Sequence, residues 1–207
     1  TMPRHPILVK TIVTTDLAKL IAADYGVEVI DVLPGFKYIG EQIGRLEKNG
    51  EEERYIFGFE ESYGYLSGGF VRDKDGVNAS LLICEMFAYY KSHGQTLLEV
   101  LENLYKKYGY CLNRLRSYTF EGAEGFHTME KIMENFRTAA PTTIGGKAIT
   151  SISDYKISIT SNADGSQTTI NLPRSNVMKF LLEGNTSAVI RPSGTEPKLK
   201  LYISVIA

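Results

Sequence analysis

The first 60 residues alternate between short apolar runs and amphipathic segments, and this alternation constrains the fold more than any other feature. We predict strands at the β-branched apolar runs, and helices where apolar residues recur three or four positions apart. In chain order, the predicted elements are strand 7–13, helix 17–25, strand 27–33, helix 36–49 and strand 54–59. Repeated strand–helix–strand units are typical of a mainly parallel sheet with flanking helices, so the sequence predicts an α/β domain.

Two further helices are predicted to complete this domain. The first is expected to be capped by Asn78 and to run to about His93, and the second opens with the capping box Thr96–Glu99 and ends near Tyr108. The pattern changes after these helices, so we place the boundary between an α/β domain, 1–111, and a second domain, 112–207.

The second half reads as a smaller α+β domain with an antiparallel sheet. Its apolar segments are short, and turn residues separate them. We predict strands at 115–120, 148–153, 155–160, 168–172, 187–190 and 199–206, and helices at 127–138 and 175–182. The last two strands are expected to form a hairpin.

Composition excludes several classes of protein. The net charge of −1 gives no global field to attract nucleic acid or an anionic membrane. No run of about 18 apolar residues is present, and the N-terminus lacks a signal-peptide pattern, so we expect a cytoplasmic protein.

Cys84 and Cys111 are interpreted as buried thiols, with a disulfide as the alternative. No residues have the spacing of zinc ligands, so no metal site is predicted in this chain.

A polar loop follows the third predicted strand. Glu60, Glu61 and Ser62 come directly after that strand, and the charged run 72–75 lies further along the same loop. Ligands bind beyond the carboxyl ends of parallel strands, where residues 34–37 also lie after the second strand. Carboxylates and a hydroxyl suit the hydroxyls of a sugar. The alternative interpretation is a solvated surface loop.

A second candidate site lies near the C-terminus, at Arg191 and the residues that follow. Arg191 can donate two parallel hydrogen bonds to a phosphate, and Gly194 lets backbone N–H groups approach an anion closely. Further donors stand nearby at Ser193, Thr195 and Lys200. The alternative interpretation is a tight hairpin turn in which Arg191 pairs with a carboxylate.

Three motifs together resemble one known family. Residues 58–64 (GFEESYG) and 72–76 (RDKDG) are similar to the sugar-recognition loop of the α-D-phosphohexomutases, the superfamily of phosphoglucomutase and phosphomannomutase. Residues 191–200 (RPSGTEPKLK) resemble the phosphate-binding loop of the same family. The resemblance extends over nearly the whole chain, but only over the last two of the family's four domains.

The resemblance implies a role for each matching residue. Lys74 would be an auxiliary catalytic residue near the reacting phosphoryl group. Sugar binding would fall to Gly35, Lys37, Glu60 and Ser62. Binding of the non-reacting phosphate would fall to Arg191, Ser193, Gly194, Thr195 and Lys200.

The resemblance also implies a reaction. The family interconverts hexose 1-phosphate and 6-phosphate through a hexose 1,6-bisphosphate intermediate. Its phosphoserine nucleophile and its Mg²⁺ ligands belong to domains that this chain does not match, so Mg²⁺ is expected only in the intact parent. We therefore hypothesise a C-terminal, substrate-binding half that is inactive by itself and works with the catalytic domains of the same polypeptide.

Alternatives are phosphomannomutase or phosphopentomutase specificity, a non-catalytic phosphosugar-binding module, or an interaction domain that uses neither pocket.

Overall fold

The computed structural model describes residues 2–194 and 196–207. The chain divides into two compact units, the first ending at Gly109 and the second beginning at Tyr110. The predicted boundary, between Cys111 and Leu112, falls just after this division. Each unit has its own sheet. Within the described residues, no helix is long and apolar enough to cross a membrane.

The first unit is a four-stranded sheet with flanking helices, as predicted. The sheet order is β2-β1-β3-β4, in which β2 and β3 run parallel to β1 while β4 runs antiparallel to β3. The elements are β1 (Ile7–Thr11), α1 (Leu17–Asp24), β2 (Glu28–Val32), α2 (Phe36–Lys48), β3 (Tyr55–Glu60), β4 (Gly64–Leu66), α3 (Gly76–Ser92) and α4 (Leu97–Tyr108). A short 3₁₀ turn, Glu52–Arg54, precedes β3.

The core of the first unit lies between α2 and one face of the sheet. Buried side chains of the strands pack against buried side chains of α2: Ile7, Val9, Val32, Tyr55 and Leu66 meet Phe36, Ile39, Ile43 and Leu46. Gly58 permits this packing, because a Cβ there would collide with the Tyr55 hydroxyl and lie 2.6 Å from Cγ2 of Ile39. The N-terminus of α2 is thereby fixed beside the carboxyl ends of the strands.

The start of α3 corrects one prediction. Asp75, and not Asn78, caps this helix: its carboxylate accepts hydrogen bonds from the backbone N–H groups of Val77 and Asn78, at 2.9 and 3.0 Å. The Asn78 side chain instead accepts from the backbone N–H and the hydroxyl of Ser67. The predicted capping box of α4, between Thr96 and Glu99, is confirmed.

The second unit is built on an antiparallel sheet, also as predicted. The sheet order is β5-β12-β11-β10-β7-β8-β9, with β6 paired to β7. The elements are β5 (Cys111–Thr119), α5 (Gly122–Thr138), β6 (Thr143–Ile144), β7 (Lys147–Asp154), β8 (Ile159–Asn162), β9 (Gln167–Thr169), β10 (Met178–Leu182), β11 (Thr186–Pro192) and β12 (Lys198–Ile206). Met129 and Met133 of α5 pack on Phe180, Ile190 and other buried residues of the sheet.

The predicted helix at 175–182 is wrong, because Met178–Leu182 forms strand β10. Met178, Phe180 and Leu182 are buried while the residues between them are more exposed, which is the two-residue period of a strand. The strand is hydrogen-bonded to β11 on one side and β7 on the other. Pairing on both sides outweighs the helical preference of an apolar run this short. The strands predicted at 155–160 and 168–172 are displaced to β8 and β9.

Candidate functional site

The β3–β4 hairpin carries two of the predicted sugar-binding residues. Glu60 is the last residue of β3 and pairs with Gly64, the first residue of β4. Glu61, Ser62 and Tyr63 form the turn between them, and Tyr63 has the left-handed φ of 63° that such three-residue loops require. Glu60 and Ser62 therefore lie together at the tip of one hairpin.

Glu60 lies in an unusual electrostatic environment. Its partial burial raises the pKa of the Glu60 carboxyl above its usual range, and the neighbouring Glu61 carboxylate raises it further. A hydrogen bond with Ser62 and the positive charge of Lys74 oppose this shift. Three predicted site residues, Glu60, Ser62 and Lys74, are thus close enough to interact.

Phe36 lies between the β3–β4 hairpin and the charged run 72–75. The Lys74 ammonium lies 5.9 Å from the centroid of the Phe36 ring. On the hairpin side, a Cβ added at Gly64 would lie 3.0 Å from Cδ2 of Phe36 and 2.9 Å from Oε1 of Glu60. Lys74 also forms an ion pair with Asp73, at 3.1 Å, and its side chain is 54% exposed. The ammonium group is therefore accessible beside the Glu60 carboxylate.

Gly35 and Lys37 lie at the start of α2, next to this cluster in sequence. Gly35 precedes the helix with a φ of 127°, a value that favours glycine, and no side chain caps the helix N-terminus. Lys37 is exposed, and its ammonium lies 4.9 Å from the centroid of the Tyr38 ring. Its observed contact is thus with Tyr38, while Gly35 adjoins Phe36 at the hairpin.

The sequence analysis missed an ionic network around the buried Lys10, at the carboxyl ends of β1 and β2. Lys10 is 0% exposed, and its ammonium lies 2.9 Å from a carboxylate oxygen of Asp16 and 2.9 Å from one of Asp31. Lys19 pairs with the same two aspartates. The signal in the sequence was a single lysine inside the apolar run 7–13, since lysine is rarely buried unless it is paired.

This network adjoins the hairpin through two threonines. The Thr11 hydroxyl lies 2.7 Å from the Thr14 hydroxyl and donates to Oε2 of Glu61 at 3.3 Å. The Lys10 ammonium donates to the carbonyl oxygen of Thr14 at 3.0 Å. Buried polar groups beneath the strand ends are therefore hydrogen-bonded to the turn that holds Ser62.

The second candidate site lies on the β11–β12 hairpin. Arg191 of β11 pairs directly with Lys200 of β12. Neighbouring Ile190 and Leu199 belong to the core under α5, so Arg191 and Lys200 share the opposite face of the sheet. Within the part of the chain that the structure describes, the Nε atom of Arg191 is buried without a hydrogen-bond partner, and no carboxylate forms an ion pair with Arg191. Two cations thus lie side by side, and of the two Lys200 is close enough to Glu196 to help lower the pKa of that carboxyl.

Ser193 and Gly194 occupy the turn of the same hairpin. They line a cavity of about 380 Å³ together with residues of α5, including Gly122 and Phe126. Pro192 also lines this cavity. Because successive residues of a strand face opposite sides of the sheet, the cavity lies on the face opposite to Arg191. Thr195, the remaining predicted phosphate ligand, lies outside the described residues.

The carboxylate of this turn is already paired. Glu196 accepts a hydrogen bond from the Lys198 ammonium at 2.9 Å, which lowers the pKa of the Glu196 carboxyl. The backbone N–H of Ser193 donates to the carbonyl oxygen of Lys198, at 2.7 Å, and closes the turn. Glu196 is thereby held by Lys198 and is not paired with Arg191.

The described residues contain no cluster of metal-ligating side chains. Across residues 2–194 and 196–207, no group of three or more His, Cys, Asp and Glu side chains could hold a metal. Carboxylate oxygens are the ligands that Mg²⁺ prefers. No chemical step is therefore assigned to a metal held by this chain.

Comparison with known proteins gives consistent results. Residues 2–108 match the family profile described as phosphoglucomutase/phosphomannomutase, alpha/beta/alpha domain III. The phosphoglucomutases of Staphylococcus aureus strains MSSA476 and MRSA252 are each 41% identical over 203 residues, which is 98% of this chain. The chain spans 36% of the length of these relatives.

A solved structure supports the fold. The exocytosis-sensitive phosphoprotein parafusin, a phosphoglucomutase of Paramecium in its open form, aligns with a TM-score of 0.61 and 18% sequence identity. The alignment includes 96% of this chain and 32% of parafusin. At that identity the likeness bears on the fold alone, whereas the profile match includes more than half of the chain. The chain belongs to the phosphoglucomutase/phosphomannomutase family.

Proposed function

We propose that this chain is the substrate-recognition half of a mutase that interconverts hexose 1-phosphate and hexose 6-phosphate through a bisphosphate intermediate. The first unit would read the hydroxyls of the sugar, and the second would hold the phosphate that is not reacting. The family match supports this division of roles, because it adds a phosphosugar reaction to two clusters whose chemistry suits a sugar and an anion.

The observation that carries the proposal is the environment of Arg191. A buried N–H donor without a partner costs free energy, and like charges placed opposite each other on neighbouring strands repel. The Nε atom of Arg191 is such a donor, and Lys200 is the opposing cation. A phosphate oxygen would satisfy the donor and relieve the repulsion, which explains why this costly arrangement would be retained.

The sugar-reading role rests on the β3–β4 hairpin. Glu60 can accept hydrogen bonds from sugar hydroxyls, while Ser62 can both donate and accept. Gly35 would offer backbone N–H groups at the uncapped start of α2, and Lys37 would supply a positive charge from its first turn. Partial desolvation around Glu60 would strengthen its hydrogen bonds to a ligand.

Lys74 would assist the reaction without carrying the phosphoryl group. Its exposed ammonium, beside the ring of Phe36, can stabilise negative charge that develops on a phosphoryl oxygen. The nucleophile and the Mg²⁺ site are assigned to other domains of the parent polypeptide. We place that parent in the cytoplasm. As its substrates we favour glucose phosphates, since the relatives described above are named phosphoglucomutase.

A calorimetric titration with glucose 1-phosphate tests the proposal. We expect Arg191→Ala to weaken binding by about 1.5–3 kcal/mol, as for a lost hydrogen bond to a charged group. Arg174→Ala is the matched control, because Arg174 is exposed in the same unit but lies outside the β11–β12 hairpin. Equal affinity in the two variants, or binding of free glucose as tight as that of glucose 1-phosphate, would contradict the phosphate role.

A further inference from the structure

Thr11 is fully buried and contacts the β3–β4 hairpin. It is the last residue of β1, which pairs with β3, and its side chain is 0% exposed. Its hydroxyl lies 2.7 Å from that of Thr14 and 3.3 Å from Oε2 of Glu61. The contact joins residues 50 positions apart in sequence, so the tertiary fold alone brings them together.

The direction of these hydrogen bonds follows from the number of protons. An ionised carboxylate only accepts, so the single proton of the Thr11 hydroxyl is directed at Glu61. The Thr14 hydroxyl must then donate to Thr11, which makes a chain of two hydrogen bonds that ends on the carboxylate. Each bond in such a chain polarises the next, and this strengthens the bond that reaches Glu61.

Lys10 fixes the base of this chain. Its buried ammonium donates to the carbonyl oxygens of Thr14 and Thr11, at 3.0 and 3.3 Å, as well as pairing with Asp16 and Asp31. These contacts hold the backbone of both threonines. The donor that faces Glu61 is therefore preorganised by the fully buried ammonium of Lys10.

The position of Glu61 matters because Glu60 is next to it. The two carboxylates repel each other, and Glu61 belongs to the turn that also holds Ser62. Without the hydrogen bond from the Thr11 hydroxyl, the Glu61 side chain would no longer be held in place. Glu60 and Ser62 would then lose the fixed geometry that a sugar requires.

We propose that Thr11 is a positioning residue of the sugar site, which acts through Glu61 to hold the turn 61–63 in its binding geometry. This inference rests on the proposed function, since it concerns the same hairpin. It assigns the buried threonine pair a role in substrate affinity in addition to any role in stability.

The experiment compares Thr11→Val, which keeps the shape and removes the hydroxyl, with Thr11→Ser, which keeps the hydroxyl. Thr128→Val is the control for losing a threonine hydroxyl elsewhere, since Thr128 bonds only within α5 in the second unit. Each chain is titrated with glucose 1-phosphate and with inorganic phosphate. Hydrogen–deuterium exchange of residues 60–64 is followed without ligand. The Thr11→Val change is also made in a Glu61→Ala background.

We expect Thr11→Val to weaken binding of glucose 1-phosphate roughly three- to tenfold, which is less than the full value of a hydrogen bond to a charged group because Thr11 acts on the sugar only through Glu61. Affinity for inorganic phosphate should not change, while exchange at 60–64 should become faster. Thr11→Ser and Thr128→Val should both behave like the wild type. In the Glu61→Ala background, Thr11→Val should have no further effect on sugar binding, because the two residues act as one unit.

Three results would overturn the inference. The first is that Thr11→Val leaves either the hydrogen–deuterium exchange at 60–64 or the affinity for glucose 1-phosphate unchanged. Another is an equal loss of affinity for both ligands, which would indicate general destabilisation. The third is an undiminished effect of Thr11→Val in the Glu61→Ala background. If the wild-type chain binds inorganic phosphate but gains nothing from the sugar, the proposed function itself fails and the inference fails with it.

Discussion

At the scale of single residues, Gly64 is required for space and not for its backbone angle. Its φ is not in the left-handed region, but an added Cβ would lie 2.9 Å from both Cγ and Oε1 of Glu60. The Glu60 carboxylate is the end of a flexible side chain and would move aside, while the buried ring of Phe36, whose Cδ2 lies 3.0 Å from the same Cβ, would have to shift slightly. The substitution therefore displaces one functional group without removing it.

We expect Gly64→Ala to weaken glucose 1-phosphate binding on the order of tenfold and to lower the free energy of unfolding by about 1–2 kcal/mol, because the buried Phe36 ring must shift. Calorimetry and urea denaturation measure the two effects. Gly76→Ala is the control, since a Cβ there would meet nothing within 4 Å. Unchanged affinity in Gly64→Ala would argue against a role for Glu60 in sugar binding.

Glu60 should also affect stability in a pH-dependent way. Burial and Glu61 raise the folded-state pKa of Glu60 above its unfolded value, so folding disfavours the ionised form. Its destabilising effect is absent below the unfolded pKa, grows as pH rises from the unfolded pKa through the folded pKa, and is complete above the folded pKa. We expect Glu60→Gln to unfold at a higher temperature than the wild type at pH 7. The difference should disappear near pH 4, and an opposite sign at pH 7 would contradict the assigned environment.

At the scale of elements, the sequence predicted those structures whose signal is local. The strands and helices of the first 60 residues follow from apolar spacing and glycine stops, and the capping box of α4 follows from Thr96 and Glu99. The helix predicted at 175–182 is wrong, because the pairing of Met178–Leu182 with β7 and β11 is a tertiary property. A short apolar run does not by itself distinguish a buried strand from a buried helix.

Helix α2 offers a matched pair of glycines for a test of how the charged loop is seated. A Cβ at Gly40 would collide with the backbone carbonyl oxygen of Arg72, whereas a Cβ at Gly44 would meet nothing within 4 Å. Arg72 also forms an ion pair with Glu47, near the end of the same helix. The loop that carries Lys74 therefore rests on α2 at Gly40.

We expect the two alanine substitutions to have opposite effects in urea denaturation. Gly44→Ala should stabilise the protein by roughly 0.5–1 kcal/mol, because alanine favours a helix over glycine. Gly40→Ala should destabilise it by about 1–3 kcal/mol, as is usual for an overpacked contact. Equal effects in the two variants would show that the loop does not rest on the helix in solution.

At the scale of the whole molecule, the candidate sites could be predicted only in part. Polar residues at the ends of strands, such as Glu60 and Ser62, are visible in the sequence because they interrupt apolar runs. Lys10 stands inside a predicted apolar strand, and its role is hidden in the sequence because its partners Asp16 and Asp31 become neighbours only when β1 and β2 pair. The binding roles of the predicted site residues stay predictions until ligand binding is measured.

Catalysis by the isolated chain tests the proposed division of roles within the parent polypeptide. The described residues include groups whose chemistry suits a sugar and a phosphate, and the chain spans 36% of the length of its phosphoglucomutase relatives, so we assign the nucleophile of the proposed mutase to the rest of the parent. We expect the purified chain to bind glucose 1-phosphate without converting it to glucose 6-phosphate in a dehydrogenase-coupled assay. Arg191→Ala, purified in the same way, is the control for contaminating mutase, because a contaminant would give equal rates in both preparations. Turnover by the wild-type chain that is lost in Arg191→Ala would show that these 207 residues catalyse the reaction themselves.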